Sequence, residues 1–151
     1  MSKNKCLFCR IVQGFIPSYK IYENKSYIAI LDIYPNMKGQ TLVISKRHVE
    51  SYAFDLKDRE LDDFIKTAKR VAKILEKKLR VGRVHLVLEG TGINHLHAKL
   101  YPTIGLKSHK FKMFEVKSDV YFRRYPGYTT TLMGPRASNR SLSRLQNEII
   151  H

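Results

Sequence analysis

Cysteine is scarce in this chain: only Cys6 and Cys9 occur among 151 residues, spaced Cys-x2-Cys near the start. So small a count excludes a secreted disulfide framework and points to a metal pair or a redox pair. A thioredoxin-like reading is disfavoured, because no βαβ pattern surrounds the two thiols. Long apolar runs are also missing. No stretch approaches the roughly 18 residues that a bilayer span needs, and the opening MSKNKCLFCRIVQG breaks its only apolar run at Cys9 and Arg10. The expectation is a soluble cytoplasmic protein with no membrane partner. Acidic residues are few, 13 against 28 Lys and Arg, and the net charge is +15. A field of that sign gathers anions such as nucleotides, nucleic acid or acidic lipid, but it selects a sign and not a ligand. The sequence has no RNA-recognition signature, no zinc-finger spacing with paired His and no compact Lys/Arg block, so nucleic acid stays open from charge alone and is not favoured.

What is present is enough for a folded domain: 43% of residues are hydrophobic and 11% aromatic, which excludes disorder for most of the chain. Cys6 to Gln13 reads as a short helical or irregular segment that Pro17 brings to a turn. Residues 18–23, 26–32 and 40–45 are rich in β-branched and aromatic side chains, with turn residues Asn24, Pro35, Asn36 and Gly39 between them. They predict an antiparallel meander. From Asp55 to Arg80 the apolar positions Leu61, Phe64, Ile65, Ala68, Val71, Ala72, Leu75 and Leu79 follow helical spacing. Acids at its start and bases at its end suit the helix dipole, and Gly82 is the expected stop. Residues 84–89 and 95–101 predict two more strands joined by a tight reversal at GTGIN.

Beyond this, short strands are expected at 111–116 and 120–125. A final helix carrying Leu142, Leu145 and Ile149 is expected, capped by Ser138 or Asn139. The predicted fold class is α+β, a mainly antiparallel sheet with one long helix packed on a face. The core is placed at 1–105, with 106–151 as a basic C-terminal extension packed on the same domain.

Alternation along the predicted strand 95–101 puts His95, His97, Lys99 and Tyr101 on one side, with Leu96, Ala98 and Leu100 on the other. Imidazole is a nucleophile and a proton carrier near neutral pH, and an ammonium stabilises an anionic centre such as a phosphate. A lone His here would read as an ordinary solvent-side residue; two with a Lys on one face point to chemistry.

Four stretches then resemble the histidine-triad (HIT) family of nucleotide hydrolases and transferases: CLFCRIVQGFIPS from Cys6, ILDIYP from Ile30, GQTLVISKRH from Gly39 and NHLHAKLYP from Asn94. The resemblance implies a HIT-like fold, a homodimer joined through the long helix and a sheet edge, and a purine nucleotide or nucleotide conjugate as ligand. It implies that His97 attacks the α-phosphate of a phosphoramidate or dinucleoside polyphosphate, forming a nucleotidyl-histidine. It further implies that His95 and Lys99 assist, that Asp32 accepts the ribose hydroxyls, and that Phe8, Ile11 and Ile33 surround the base. Cys6, Cys9, His48 and His95 would bind a structural zinc, whose preferred ligands are thiolate and imidazole. Three departures mark this chain: Lys99 stands at the third triad position, Gly39-Gln40 replaces a Gly-His pair, and the loop EGTGIN is short. They keep a second expectation in play, a zinc-stabilised nucleotide-binding or sensing protein with little turnover.

Overall fold

The structure, a computed structural model, describes residues 6–106, 121–124, 126 and 138–140. The chain divides into two compact units, Met1–Phe111 and Lys112–His151. The first unit carries a short helix α1 (Leu7–Val12) and strands β1 (Lys20–Glu23), β2 (Tyr27–Leu31) and β3 (Thr41–Ser45). The long helix α2 (Asp58–Leu79) follows, then β4 (Val84–Val87) and β5 (His97–Pro102). The five strands form one antiparallel sheet in the order β1-β2-β3-β5-β4.

Both faces of the sheet are covered at β2 and β3, which is why these strands read as nearly continuous apolar runs. Tyr27, Ala29, Val43, Leu96, Ala98 and Leu100 point to one side, where Phe64, Ala68, Val71 and Leu75 of α2 meet them. Ile28, Ile30 and Ile44 point to the other side, against Cys6, Phe8 and Cys9 of the α1 segment. Strand pairing then carries this second face across the sheet. Ile28 pairs with Ile44 and Ile44 with His97; Ile30 pairs with Leu42 and Leu42 with Lys99. Two rows of side chains that begin as core therefore end in an imidazole and an ammonium.

The β1–β2 turn falls where Asn24 predicts it: its Oδ1 accepts the Ser26 and Tyr27 N–H groups at 2.9 and 2.7 Å. Other boundaries differ from expectation. Residues 53–55 form a separate 3-10 turn, and Leu56 and Lys57 are extended, so α2 begins at Asp58 rather than Asp55. The helix ends at Leu79, and Arg80, not Gly82, adopts the left-handed conformation (φ 53°) that closes it. Residues 88–96 between β4 and β5 are a long loop instead of a tight reversal, and His95 lies in that loop just before its strand. In the second unit residues 121–124 are not a strand. Asn139 and Arg140 are helical, directly after Ser138. The strand expected at 111–116 and the helix positions Leu142, Leu145 and Ile149 lie outside the described residues. Among the described residues no helix is long and apolar enough to cross a membrane.

Phe64 is fully buried between α2 and the sheet, and its ring lies 5.4 Å from that of Tyr27. Replacing it with Ala removes that packing and leaves a cavity, and the expected loss is about 3–5 kcal/mol. Urea unfolding followed by far-UV circular dichroism measures it; a loss below about 1 kcal/mol would contradict this packing.

Candidate metal centre and histidine-lined cleft

Cys6 is the residue before α1 and Cys9 lies three residues further on, so one helical turn brings both thiols to the same side. His48, in the loop after β3, and His95, before β5, face them. The four donor atoms all lie within 4.8 Å of one another. His95 Nδ1 is 3.3 Å from Cys6 Sγ, 3.5 Å from Cys9 Sγ and 3.3 Å from His48 Nδ1, and Cys9 Sγ is 3.3 Å from His48 Nδ1. Those four distances match edges of a tetrahedral site: zinc bonds of about 2.0–2.1 Å to nitrogen and about 2.3 Å to sulfur put neighbouring ligands roughly 3.3 to 3.8 Å apart. The donor set and its spacing thus fit a tetrahedral metal ion.

The protonation of His95 fits as well. Its Nε2 lies 2.7 Å from the Ser45 carbonyl, which can only accept, so Nε2 carries the hydrogen and Nδ1 offers a lone pair to the cluster. Burial pushes the His95 imidazole below its ordinary value, against the hydrogen bond to Ser45, which keeps it in the neutral form that a ligand must have.

On the far side of Phe8 the same face opens into a cleft of about 460 Å³. The Phe8 ring stands edge-on to both histidines, 5.8 Å from His95 and 5.1 Å from His97. Phe8, Ile11, Ile30, Leu42 and Ile93 give the cleft an apolar wall, and Ile33 lies at its exposed rim. His97, Lys99, Tyr101, Asp32, Gln40 and Glu89 supply the polar side.

His97 Nδ1 donates to the His95 carbonyl at 2.7 Å, which leaves Nε2 as the unprotonated nitrogen. Burial lowers its pKa despite that hydrogen bond, and the Lys99 charge lowers it further, so the imidazole is neutral and nucleophilic at neutral pH. Lys99 is ion-paired with Glu89. Burial alone would lower the Lys99 pKa, but the hydrogen bond and charge of Glu89 outweigh it and the net direction is up. Asp32 is held just as firmly: Oδ1 accepts the Tyr34 N–H at 2.9 Å, and Oδ2 accepts from Gln40 Nε2 at 2.6 Å. Gln40 is itself fixed, its Oε1 taking the Asn36 N–H at 3.0 Å.

The structure therefore splits the predicted site residues into two groups. His97, Lys99, Asp32, Phe8, Ile11 and Ile33 line the cleft, while His95 is fully buried in the cluster with Cys6, Cys9 and His48. Sequence reasoning did not assign Glu89 and Gln40 to the site. The sequence marks Gln40 only as a departure from Gly-His, and Glu89 only as the residue opening EGTGIN. Ser51 went unnoticed too. Its Oγ donates to the Gly90 carbonyl at 2.6 Å and its N–H to Asn94 Oδ1 at 3.0 Å, pinning the loop between Glu89 and His95.

An antiparallel α+β sheet with a Cys2His2 cluster beside a histidine-lined cleft defines the class of protein. Residues 13–103 match the HIT domain family, and the chain belongs to it. An uncharacterised HIT-like protein of Methanocaldococcus jannaschii is 36% identical over 118 residues, covering 75% of this chain and 90% of that one. An adenosine 5′-monophosphoramidase of Saccharomyces cerevisiae is 35% identical over 109 residues, covering 68% of this chain and 65% of that one. Among solved structures, a Streptococcus mutans protein superposes with a TM-score of 0.66 at 28% identity, covering 99% of this chain and 85% of that one. A zinc-bound histidine triad family protein from Mycobacterium smegmatis gives 0.63 at 25% identity, over 83% of this chain and 86% of that one.

Gly90 has φ +64°, and a Cβ there would lie 2.8 Å from the Ser51 carbonyl oxygen. Gly90→Ala is expected to destabilise the chain by about 1–2 kcal/mol from backbone strain alone, with the clash adding to it. Thermal unfolding of the variant reads the loss, and an unchanged midpoint would mean that the loop is not held as described.

Proposed function

We propose that the protein is a nucleotide hydrolase or nucleotidyltransferase acting at the α-phosphate of purine nucleoside phosphoramidates or dinucleoside polyphosphates. The observation that carries this reading is His97: its Nδ1–H is tied to the His95 carbonyl, and its lone-pair nitrogen belongs to a cleft that also holds the Asp32 carboxylate. The His97 Nε2 lone pair forms a bond to the α-phosphorus as the bond to the leaving group breaks. Water or another acceptor then takes the nucleotidyl group and the imidazole is regenerated. Asp32, oriented by Gln40 and the Tyr34 N–H, keeps lone pairs for two ribose hydroxyls. The apolar wall of Phe8 and Ile11 and the rim residue Ile33 accept the base.

Zinc is the metal proposed for Cys6, Cys9, His48 and His95. With all four ligands drawn from the protein, such an ion would tie α1 to the sheet and would supply no activated water. Reduced thiols at this centre suit a cytoplasmic location. The outer edge of β4 has no partner strand among the described residues and its Leu86 is exposed, which supports a homodimer formed through this edge and α2. One observation favours a second reading. Lys99 is already paired with Glu89, and a cleft with that charge balanced suits a nucleotide-binding or sensing protein with little turnover.

Intact-protein mass spectrometry after brief mixing with adenosine 5′-phosphoramidate or, separately, a dinucleoside polyphosphate, followed by acid quenching, separates the two. An adenylyl adduct is expected on the wild type and not on His97→Ala, with AMP binding kept within a few-fold in the variant. AMP binding without adduct or turnover would replace the enzyme by the binder. Native mass spectrometry is expected to show two chains carrying about one zinc each, with the zinc lost in Cys6→Ser and the unfolding midpoint lowered. A metal-free, equally stable wild type would remove the zinc proposal, and a single-chain mass would remove the dimer.

A further inference from the structure

Glu89 and Lys99 meet inside the cleft, with side chains 20% and 25% exposed. Among the described residues, no other ion pair has both partners so enclosed. The ammonium comes from β5, two residues beyond His97 on the same face. The carboxylate comes from the 88–96 loop, beside the Gly90 carbonyl that Ser51 holds. Folding gives little reason for such a pair, because an enclosed ion pair costs about as much desolvation as it returns in attraction. Its place beside the nucleophile gives a chemical one. An ammonium has three donors, and Glu89 occupies one of them. Held against a carboxylate, it keeps its proton and can stabilise negative charge, but it is a poor proton donor. A leaving oxygen that departs as a stable anion needs only that stabilisation, whereas a leaving amine needs a proton as its bond to phosphorus breaks.

Resting on the reading of His97 as nucleophile, we infer that Glu89 and Lys99 act as one unit that sets leaving-group choice. Glu89 positions the Lys99 ammonium to receive an anionic leaving oxygen, so the cleft selects nucleotides activated through a P–O bond over those activated through a P–N bond. In the selected reaction the Nε2 lone pair of His97 forms the N–P bond and the P–O bond breaks. Its electron pair leaves on the oxygen, facing Lys99, and no proton moves. In the second step a water oxygen bonds to phosphorus, the N–P pair returns to Nε2, and the water proton passes to solvent. Glu89 is a positioning residue, acting through Lys99.

The test uses two probes of one shape, adenosine 5′-(p-nitrophenyl phosphate) and adenosine 5′-N-(p-nitrophenyl)phosphoramidate, which differ only in the bridging oxygen or nitrogen. The ratio of their kcat/KM values cancels any general loss of fold or binding. Relative to wild type, the ester-to-amidate ratio is expected to fall about tenfold or more in Lys99→His, which can donate a proton. It is expected to fall in the same direction in Glu89→Gln and to be retained in Lys99→Arg, which keeps the charge. A ratio within about twofold of wild type in both Lys99→His and Glu89→Gln, with the two rates falling together, would overturn the inference. If the wild type forms the His97 adduct and that ratio does not move, only this inference fails. If it turns over neither probe and forms no adduct, the nucleophile reading fails and this one with it.

Discussion

Two hydrogen bonds of His95 hold the site together. Its ring Nε2–H is donated to Ser45 of β3, and its backbone carbonyl receives the Nδ1–H of His97. The first bond chooses the tautomer that turns a lone pair toward Cys6, Cys9 and His48. The second chooses the tautomer that leaves a lone pair on the cleft nitrogen of His97. Two backbone carbonyls, those of Ser45 and His95, thereby set the tautomers of the two histidines, and a carbonyl oxygen cannot reverse its role.

The polar side of the cleft is organised in the same way. Asp32 is held by Gln40 and a backbone N–H, Lys99 by Glu89, and Glu89's loop by Ser51. Each charged group has its orientation supplied by a neighbour, so little reorganisation is needed when a ligand arrives. α1 serves both halves of the site: Cys9 faces the cluster while Phe8 and Ile11 face the cleft. At six residues it is far too short to be stable alone, so its order comes from what its side chains touch.

The sheet was legible because runs rich in β-branched and aromatic residues and turn signals such as Asn24 are local, and α2 because Phe64, Val71 and Leu75 repeat at helical spacing. Its start was misplaced because acids at Asp55 and Asp58 suit a first turn equally well, and only the extended Leu56 decides between them. Gly82 suggested itself as the stop on propensity, yet Arg80 takes the left-handed turn. The face shared by His97 and Lys99 followed from alternation. Their partners did not: Glu89 reaches Lys99 through the pairing of β5 with β4 and the path of the 88–96 loop, and Gln40 reaches Asp32 through the pairing of β2 with β3. No local pattern encodes such contacts.

Because one face of β5 is buried under α2 and the other lines the cleft, its register carries a further consequence. A slip of one residue against β3 would drive His97 and Lys99 into the core under α2 and expose Leu96, Ala98 and Leu100 to the cleft. Such a chain would bury two polar side chains away from their partners and lose much of its core in the same step. Burial therefore proofreads the site. A chain folded with this core carries its cleft histidine in place.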